Sequence, residues 1–134
     1  MEMVRVKTDR RTQLVDVTTP VQQIVAESGV ASGVCYVYVP HTTAGVVINE
    51  HADPDVATDL ERVFDRLVPQ KGPYRHSEGN SDSHAKAALV GASQVIFVEG
   101  GKLALGTWQG LFFCEFDGPR ERKMWINVIG ERKY

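Results

Sequence analysis

A chain of 134 residues with 43% hydrophobic and 24% charged side chains has the make-up of one globular domain, spanning 1–134, with enough apolar material for its own core. A net charge of −2 leaves no basic footprint for nucleic acid or an anionic membrane, so neither is expected as a partner. No apolar run approaches the roughly 20 residues of a membrane span, and the first fifteen residues are charged throughout (Glu2, Arg5, Lys7, Asp9). Cys35 and Cys114 each lie in an apolar run with no CxxC partner. They read as buried free thiols, which places the chain in the reducing cytoplasm.

In chain order, residues 3–8 and 12–17 alternate apolar and polar side chains about Asp9-Arg10-Arg11, the pattern of a two-stranded hairpin. Thr18-Thr19-Pro20 offers a hydroxyl cap and a proline for a helix that Gly29 ends. Gly33 to Pro40 is apolar on both faces and reads as a central strand; a second such run covers Gly45 to Ile48. Asp53-Pro54 opens the clearest helix, with Val56, Leu60, Val63, Phe64 and Leu67 on one face and Pro69 after it.

A short helix is expected over Ser83–Leu89 and a strand over Val95–Val98, which turns at Gly100-Gly101 into Leu103–Leu105. Leu111 to Phe116 and Lys123 to Ile129 are strands, with a turn at Asp117-Gly118-Pro119-Arg120. About eight strands and three helices give a β-rich α+β domain, two packed sheets with helices over the ends.

Two stretches carry the chemistry. His41-Thr42-Thr43-Ala44 follows a rigid apolar run, and Tyr74 to Lys86 concentrates His76, Glu78, Asn80, Asp82, His84 and Lys86. His41, His76 and His84 are candidate ligands for a divalent metal, zinc or magnesium, although His76 and His84, eight positions apart, match no strong zinc spacing. The metal-free alternative uses one histidine as acid or base, oriented by Glu50 or Glu78, with Lys86, Arg75 and Arg120 holding a phosphate or carboxylate. Trp108 beside Gln109, between Gly106 and Gly110, suits a flat ring held by stacking and an amide contact. His51 reads as an ordinary surface or hydrogen-bonded histidine. No P-loop, GxGxxG or G-x-S-x-G occurs, which weighs against nucleotide and acyl-transfer chemistry.

The ordered motifs His41-Thr42-Thr43-Ala44, Ile48-Asn49-Glu50, Asp53-Pro54-x-Val56, Tyr74-Arg75-His76, His84-x-Lys86-Ala87, Gly106-Thr107-Trp108-Gln109-Gly110 and Phe116-Asp117-Gly118-Pro119-Arg120 resemble the YjbQ family along nearly the whole chain. The resemblance implies a small β-rich protein that assembles as a homotrimer. It also implies a metal at the histidines and a weak thiamine-phosphate synthase activity, a transfer joining hydroxymethylpyrimidine pyrophosphate to thiazole phosphate. By position it assigns catalytic roles to His41, Glu50, His84 and Lys86, and metal ligation to His41, His76 and His84. Asn49, Asp53, Trp108, Gln109 and Arg120 become contacts to a small phosphorylated ligand. Roles for Glu78, Asn80 and Asp82 stay open, as does the rival reading of a non-catalytic trimer that binds a metal or small ligand.

Overall fold

The computed structural model of the chain describes residues 1–132, so Lys133 and Tyr134 of the expected domain lie outside the described residues. In order it contains β1 (Glu2–Lys7), β2 (Gln13–Asp16), α1 (Thr18–Ser28), β3 (Val30–Tyr38), β4 (Ala44–Glu50), α2 (Pro54–Leu67), α3 (Ser81–Val90), β5 (Ser93–Glu99), β6 (Lys102–Leu103), β7 (Gln109–Glu115) and β8 (Glu121–Arg132). The strands form two antiparallel sheets, one ordered β1-β8-β3-β5-β6 and the other β2-β7-β4. This is the expected β-rich α+β sandwich, except that α2 and α3 cover a face of the three-stranded sheet and not its ends. No described helix is long and apolar enough to cross a membrane.

Period-two alternation decides what each strand buries. Cys35 and Val37 of β3, Ile96 and Val98 of β5, and Met124 and Ile126 of β8 point into the sandwich. They meet Val46 of β4 and Leu111 and Phe113 of β7, with Val21 and Val25 of α1 closing one end. The alternate residues of β7, Phe112 and Cys114, face the other way with Leu14 and Phe116. There they are covered by Leu60 and Phe64 of α2 and Ala87 of α3. Both cysteines are buried free thiols, and burial pushes the Cys35 thiol up to about 11. The layers therefore run α2 and α3, three-stranded sheet, five-stranded sheet and, among the described residues, nothing beyond.

Several expectations change at the connections. β1 and β2 are not partners: β1 pairs with β8, and β2 with β7, because the 8–12 segment carries the chain from one sheet to the other. The 39–43 and 117–120 segments do the same, joining β3 to β4 and β7 to β8 across the sandwich. Gly100 and Gly101, at φ 56° and 73°, do turn β5 tightly into β6, which is only two residues long. Thr18 is the first residue of α1 and not its cap; its hydroxyl donates to Asp16 Oδ1 at 2.6 Å and accepts the Leu111 amide at 2.8 Å. Asp53 caps α2 as expected, accepting the Asp55 amide at 2.9 Å with Pro54 next.

The outer face of the five-stranded sheet is unusual for a sheet open to water. Tyr36 and Tyr38 on β3, Val95 and Phe97 on β5, and Met3 and Ile129 on β1 and β8 are all exposed, Phe97 at 70%. Register makes them neighbours: Tyr36 lies opposite Val95 and Asn127, Tyr38 opposite Trp125, and Val34 opposite Phe97 and Ile129. Tyr38 and Trp125 stack at 5.7 Å. The second apolar face of β3, which the sequence suggests is buried, is thus not covered within one chain.

Candidate functional site

Three of the crossovers between sheets, at 8–12, 39–43 and 117–120, lie side by side at one end of the sandwich. Thr8 N–H donates to Arg120 O, Gly118 N–H to Arg11 O, and Phe116 N–H to Thr43 O. A buried charge pair ties them together. Glu115, fully buried at the end of β7, accepts from Arg122 Nε at 2.9 Å, from Arg122 Nη2, from the Thr8 hydroxyl at 2.8 Å and from the Asp117 amide at 3.0 Å. Arg122 Nη2 also donates to Thr43 Oγ1 at 2.8 Å. Burial raises the Glu115 carboxyl, but the Arg122, Asp117 and Thr8 donors outweigh it and hold the group below the usual range.

A cleft of about 570 Å³ opens against this pair, lined by His41, Thr42, Arg120 and Arg122, with Tyr38 and Trp125 at its edge. His41 Nε2 accepts the Lys123 amide at 3.0 Å. A neutral imidazole has one lone-pair nitrogen, so Nδ1 then carries the hydrogen and is a donor. Burial, then the charge of Arg122, pushes the His41 pKa down and keeps it in this neutral form. Arg120 spends Nε on Asp117 O at 2.9 Å and Nη2 on Asp117 Oδ2 at 2.8 Å. Arg120 Nη1, Arg122 Nη1 and His41 Nδ1 have no hydrogen-bond partner among the described residues. Three nitrogen donors with capacity to spare thus belong to residues that line one cleft, a donor set for an anion.

The remaining expected residues fall in three places. His76 and His84 do come together, rings at 5.5 Å and edge to face, with Glu78 Oε2 at 3.7 Å from His76 Nε2. The helix that carries His84, α3, starts at Ser81 and not Ser83, so the His84 amide is already bonded to Asn80 O and is no anion donor. Asn80 Nδ2 donates to Asp117 Oδ2 and Ser83 Oγ to Phe116 O, which fixes α3 to the crossover that carries Arg120. Among the described residues, no three His, Cys, Asp or Glu side chains are grouped to hold a metal. His41, with its lone pair committed to Lys123, offers no ligand nitrogen in this geometry. A three-histidine centre is therefore not assembled within one chain.

Lys86 is almost fully buried and paired: Nζ donates to Asp82 Oδ2 at 3.0 Å and Asp65 Oδ1 at 2.9 Å. Asp82 Oδ1 takes Arg11 at 2.9 Å, and the Thr12 hydroxyl donates to Asp65.

Asn49, Glu50, Asp53, Trp108 and Gln109 sit at the opposite end of β4 from His41. That strand has seven residues, roughly 23 Å at about 3.3 Å each. One chain cannot stack Trp108 on a ring held at His41. Asn49 Oδ1 accepts the Glu50 amide at 2.7 Å, and Gln109 Oε1 accepts the Gly106 amide at 2.8 Å, so both serve local backbone. Trp108 is 64% exposed.

Arg122 and Glu115 are the site residues that sequence reasoning missed. The inward alternation of Met124 and Ile126 already places Arg122 on the buried face of β8, where an arginine needs a carboxylate partner.

A small sheet sandwich with a histidine- and arginine-lined crossover end defines the class, and sequence comparison places it. The model of the family described as UPF0047 protein YjbQ-like matches residues 2–131, and the chain belongs to that family. Relatives include UPF0047 protein YugU of Bacillus subtilis, 48% identical over 131 residues (97% of this chain and 99% of YugU). UPF0047 protein MJ1081 of Methanocaldococcus jannaschii is also 48% identical, over 96% of this chain and 93% of that protein. The crystal structure of a YjbQ/UPF0047-family protein from Clostridium acetobutylicum superposes with a TM-score of 0.94 at 50% identity, covering 96% of this chain and all of that one.

Proposed function

We propose that the protein is an enzyme acting on a small phosphorylated molecule bound in the His41–Arg120–Arg122 cleft, with thiamine-phosphate synthesis as the candidate reaction. What carries this reading is the set of three nitrogen donors with unused capacity on residues that line one cleft. In the candidate reaction pyrophosphate leaves the pyrimidine as the thiazole nitrogen bonds to it. Negative charge grows on oxygens that Arg120 and Arg122 are placed to meet, in a site whose own carboxylates already serve to fix the arginines. A divalent ion, zinc or magnesium, belongs in this reading at His76 and His84. Two imidazoles fall short of the usual four-ligand zinc shell, so the other donors would come from a second copy.

The test is calorimetric titration with pyrophosphate, alongside chromatographic detection of thiamine phosphate from the two substrates. Arg120→Gln and His41→Gln are each expected to weaken pyrophosphate binding about tenfold, the worth of one charge-assisted hydrogen bond. Wild-type affinity in both variants would remove the cleft from consideration. Pyrophosphate binding without turnover would favour the non-catalytic binder.

We also propose that copies of the chain cover the open sheet face, as a homotrimer. Tyr36, Tyr38, Val95, Phe97, Trp125 and Ile129 are the residue types that interface cores favour. Tyr38 and Trp125 also edge the cleft, so assembly would set the anion site at the boundary between copies. Phe97→Asp is expected to reduce the mass measured by light scattering to that of one chain, with the sandwich still folded by circular dichroism. A monomeric wild type would defeat the proposal.

A further inference from the structure

At the end of the sandwich away from the anion cleft, His51 follows β4 and reads in the sequence as an incidental surface histidine. Its setting is more specific than that. Nδ1 lies 2.9 Å from Asp16 Oδ2. Asp16 is itself fixed through its other oxygen, which accepts the Thr18 amide at 3.0 Å and the Thr18 hydroxyl at 2.6 Å. Burial raises the Asp16 carboxyl, but the bonds from Thr18 and His51 prevail and hold it below its ordinary range, hence ionised. A carboxylate can only accept, so Nδ1 carries the hydrogen and Nε2 keeps its lone pair. Asp16 thereby selects the tautomer, as the third member of a catalytic triad does.

The ring is also seated. A Cβ on Gly110 would overlap its Cγ and Nδ1, so β7 has a gap just where the imidazole lies, and His51 N–H donates to Trp108 O at 3.0 Å. The pair faces a cleft of about 320 Å³ with an apolar floor of Leu14, Ala57 and Phe112. Asp16, Asp53 and Glu61 line it against a single Arg10, and Arg10 is spent on Glu61 at 2.9 Å. That balance disfavours phosphates, in contrast with the His41 end.

We infer that His51 and Asp16 form a second binding site, an oriented imidazole whose Nε2 accepts a hydrogen bond from the O–H of a small cationic molecule whose carbon skeleton rests on Leu14 and Phe112. The site is independent of the reading given for the His41 cleft and stands if that one fails.

Diethyl pyrocarbonate tests it, since the reagent transfers its ethoxycarbonyl group to an unprotonated imidazole nitrogen and mass spectrometry reads each histidine separately. The His51 side chain is 32% exposed and that of His76 43%, so accessibility alone makes His76 the faster. The dyad reverses that order. Asp16→Asn, and Gly110→Ala, which keeps both partners but displaces the ring, are each expected to slow His51 about tenfold. Long-range proton–nitrogen NMR is expected to show His51 Nε2 as the unprotonated nitrogen, a readout that does not depend on either variant folding well. Choline, a cationic alcohol, is expected to protect His51 where pyrophosphate does not. A hydrogen on Nε2, or His51 reacting no faster than His76, overturns the dyad. Protection by pyrophosphate, or none by choline, overturns the ligand class.

Discussion

Replacing Glu115 with glutamine is expected to cost about 3–5 kcal/mol, the scale for removing one partner of a buried ion pair. In a domain of this size that lowers the melting temperature by about 10–15 °C. Arg122 would keep its charge in a site that is 5% exposed, with only Thr43 and a neutral amide around it. The double change Glu115→Leu with Arg122→Met should recover much of the loss, because well-packed apolar residues replace such pairs at little cost. Thermal denaturation of the single and double variants decides it, and a single variant within about 1 kcal/mol of wild type would contradict the buried-pair assignment.

The same pair sets an acid limit. The folded-state pKa of Glu115 is depressed, so its contribution is complete above the unfolded value, about 4.3, and is lost as pH falls through the lower folded value. Asp82 and Asp16 are shifted the same way. Wild-type stability should therefore fall below about pH 4, and Glu115→Gln should show a shallower fall.

Lys86→Ala is the second large effect. Removing the ammonium leaves Asp82, fully buried, with only Arg11 to balance it, and frees Asp65 from α3. The expected cost is again about 3–5 kcal/mol, read as a lower denaturation midpoint. α2 should loosen first, because its link to α3 runs through Asp65 and Lys86. Hydrogen exchange that rises in α2 before the sheets would bear this out. Unchanged stability with lost turnover would instead restore Lys86 to a catalytic role.

How far these features were legible in the sequence depends on the range of the signal. Alternation and caps are local, so the strands, the Asp53-Pro54 helix start and the Gly100-Gly101 turn read correctly. Partnership is not local. Nothing in residues 3–17 says that the two strands belong to different sheets, because the 8–12 connection looks like any polar turn. Grouping the site residues failed for the same reason. His41 and Trp108 both stand beside β4 and β7 termini, but at opposite ends, and end identity follows only from knowing which strands switch sheets.

Two charged residues were nevertheless readable. Glu115 closes the apolar run Leu111–Phe113, and Arg122 lies in phase with Met124 and Ile126, so both were bound for the interior and needed each other. Lys86 was placed in its helix, but nothing local in the polar stretch around it tells that Asp65, on another helix, meets its ammonium in the interior.

The pairing of the first strand with the last has a consequence for how the molecule is made. The Thr8 to Glu115 bond joins residues 107 apart in the chain, and Arg122 closes the same cluster from beyond it. Contacts of that span are among the slowest to form, since the intervening chain must be ordered before they reward it. A nascent chain still short of residue 122 has both histidine stretches and Arg120 but lacks the Arg122 that pairs with Glu115, so the cleft proposed to hold pyrophosphate is completed only after synthesis has passed that point. On the reading proposed above, ligand binding would be acquired at the end of folding, and a polypeptide cut before β8 would carry His41 and Arg120 but leave Glu115 without its arginine.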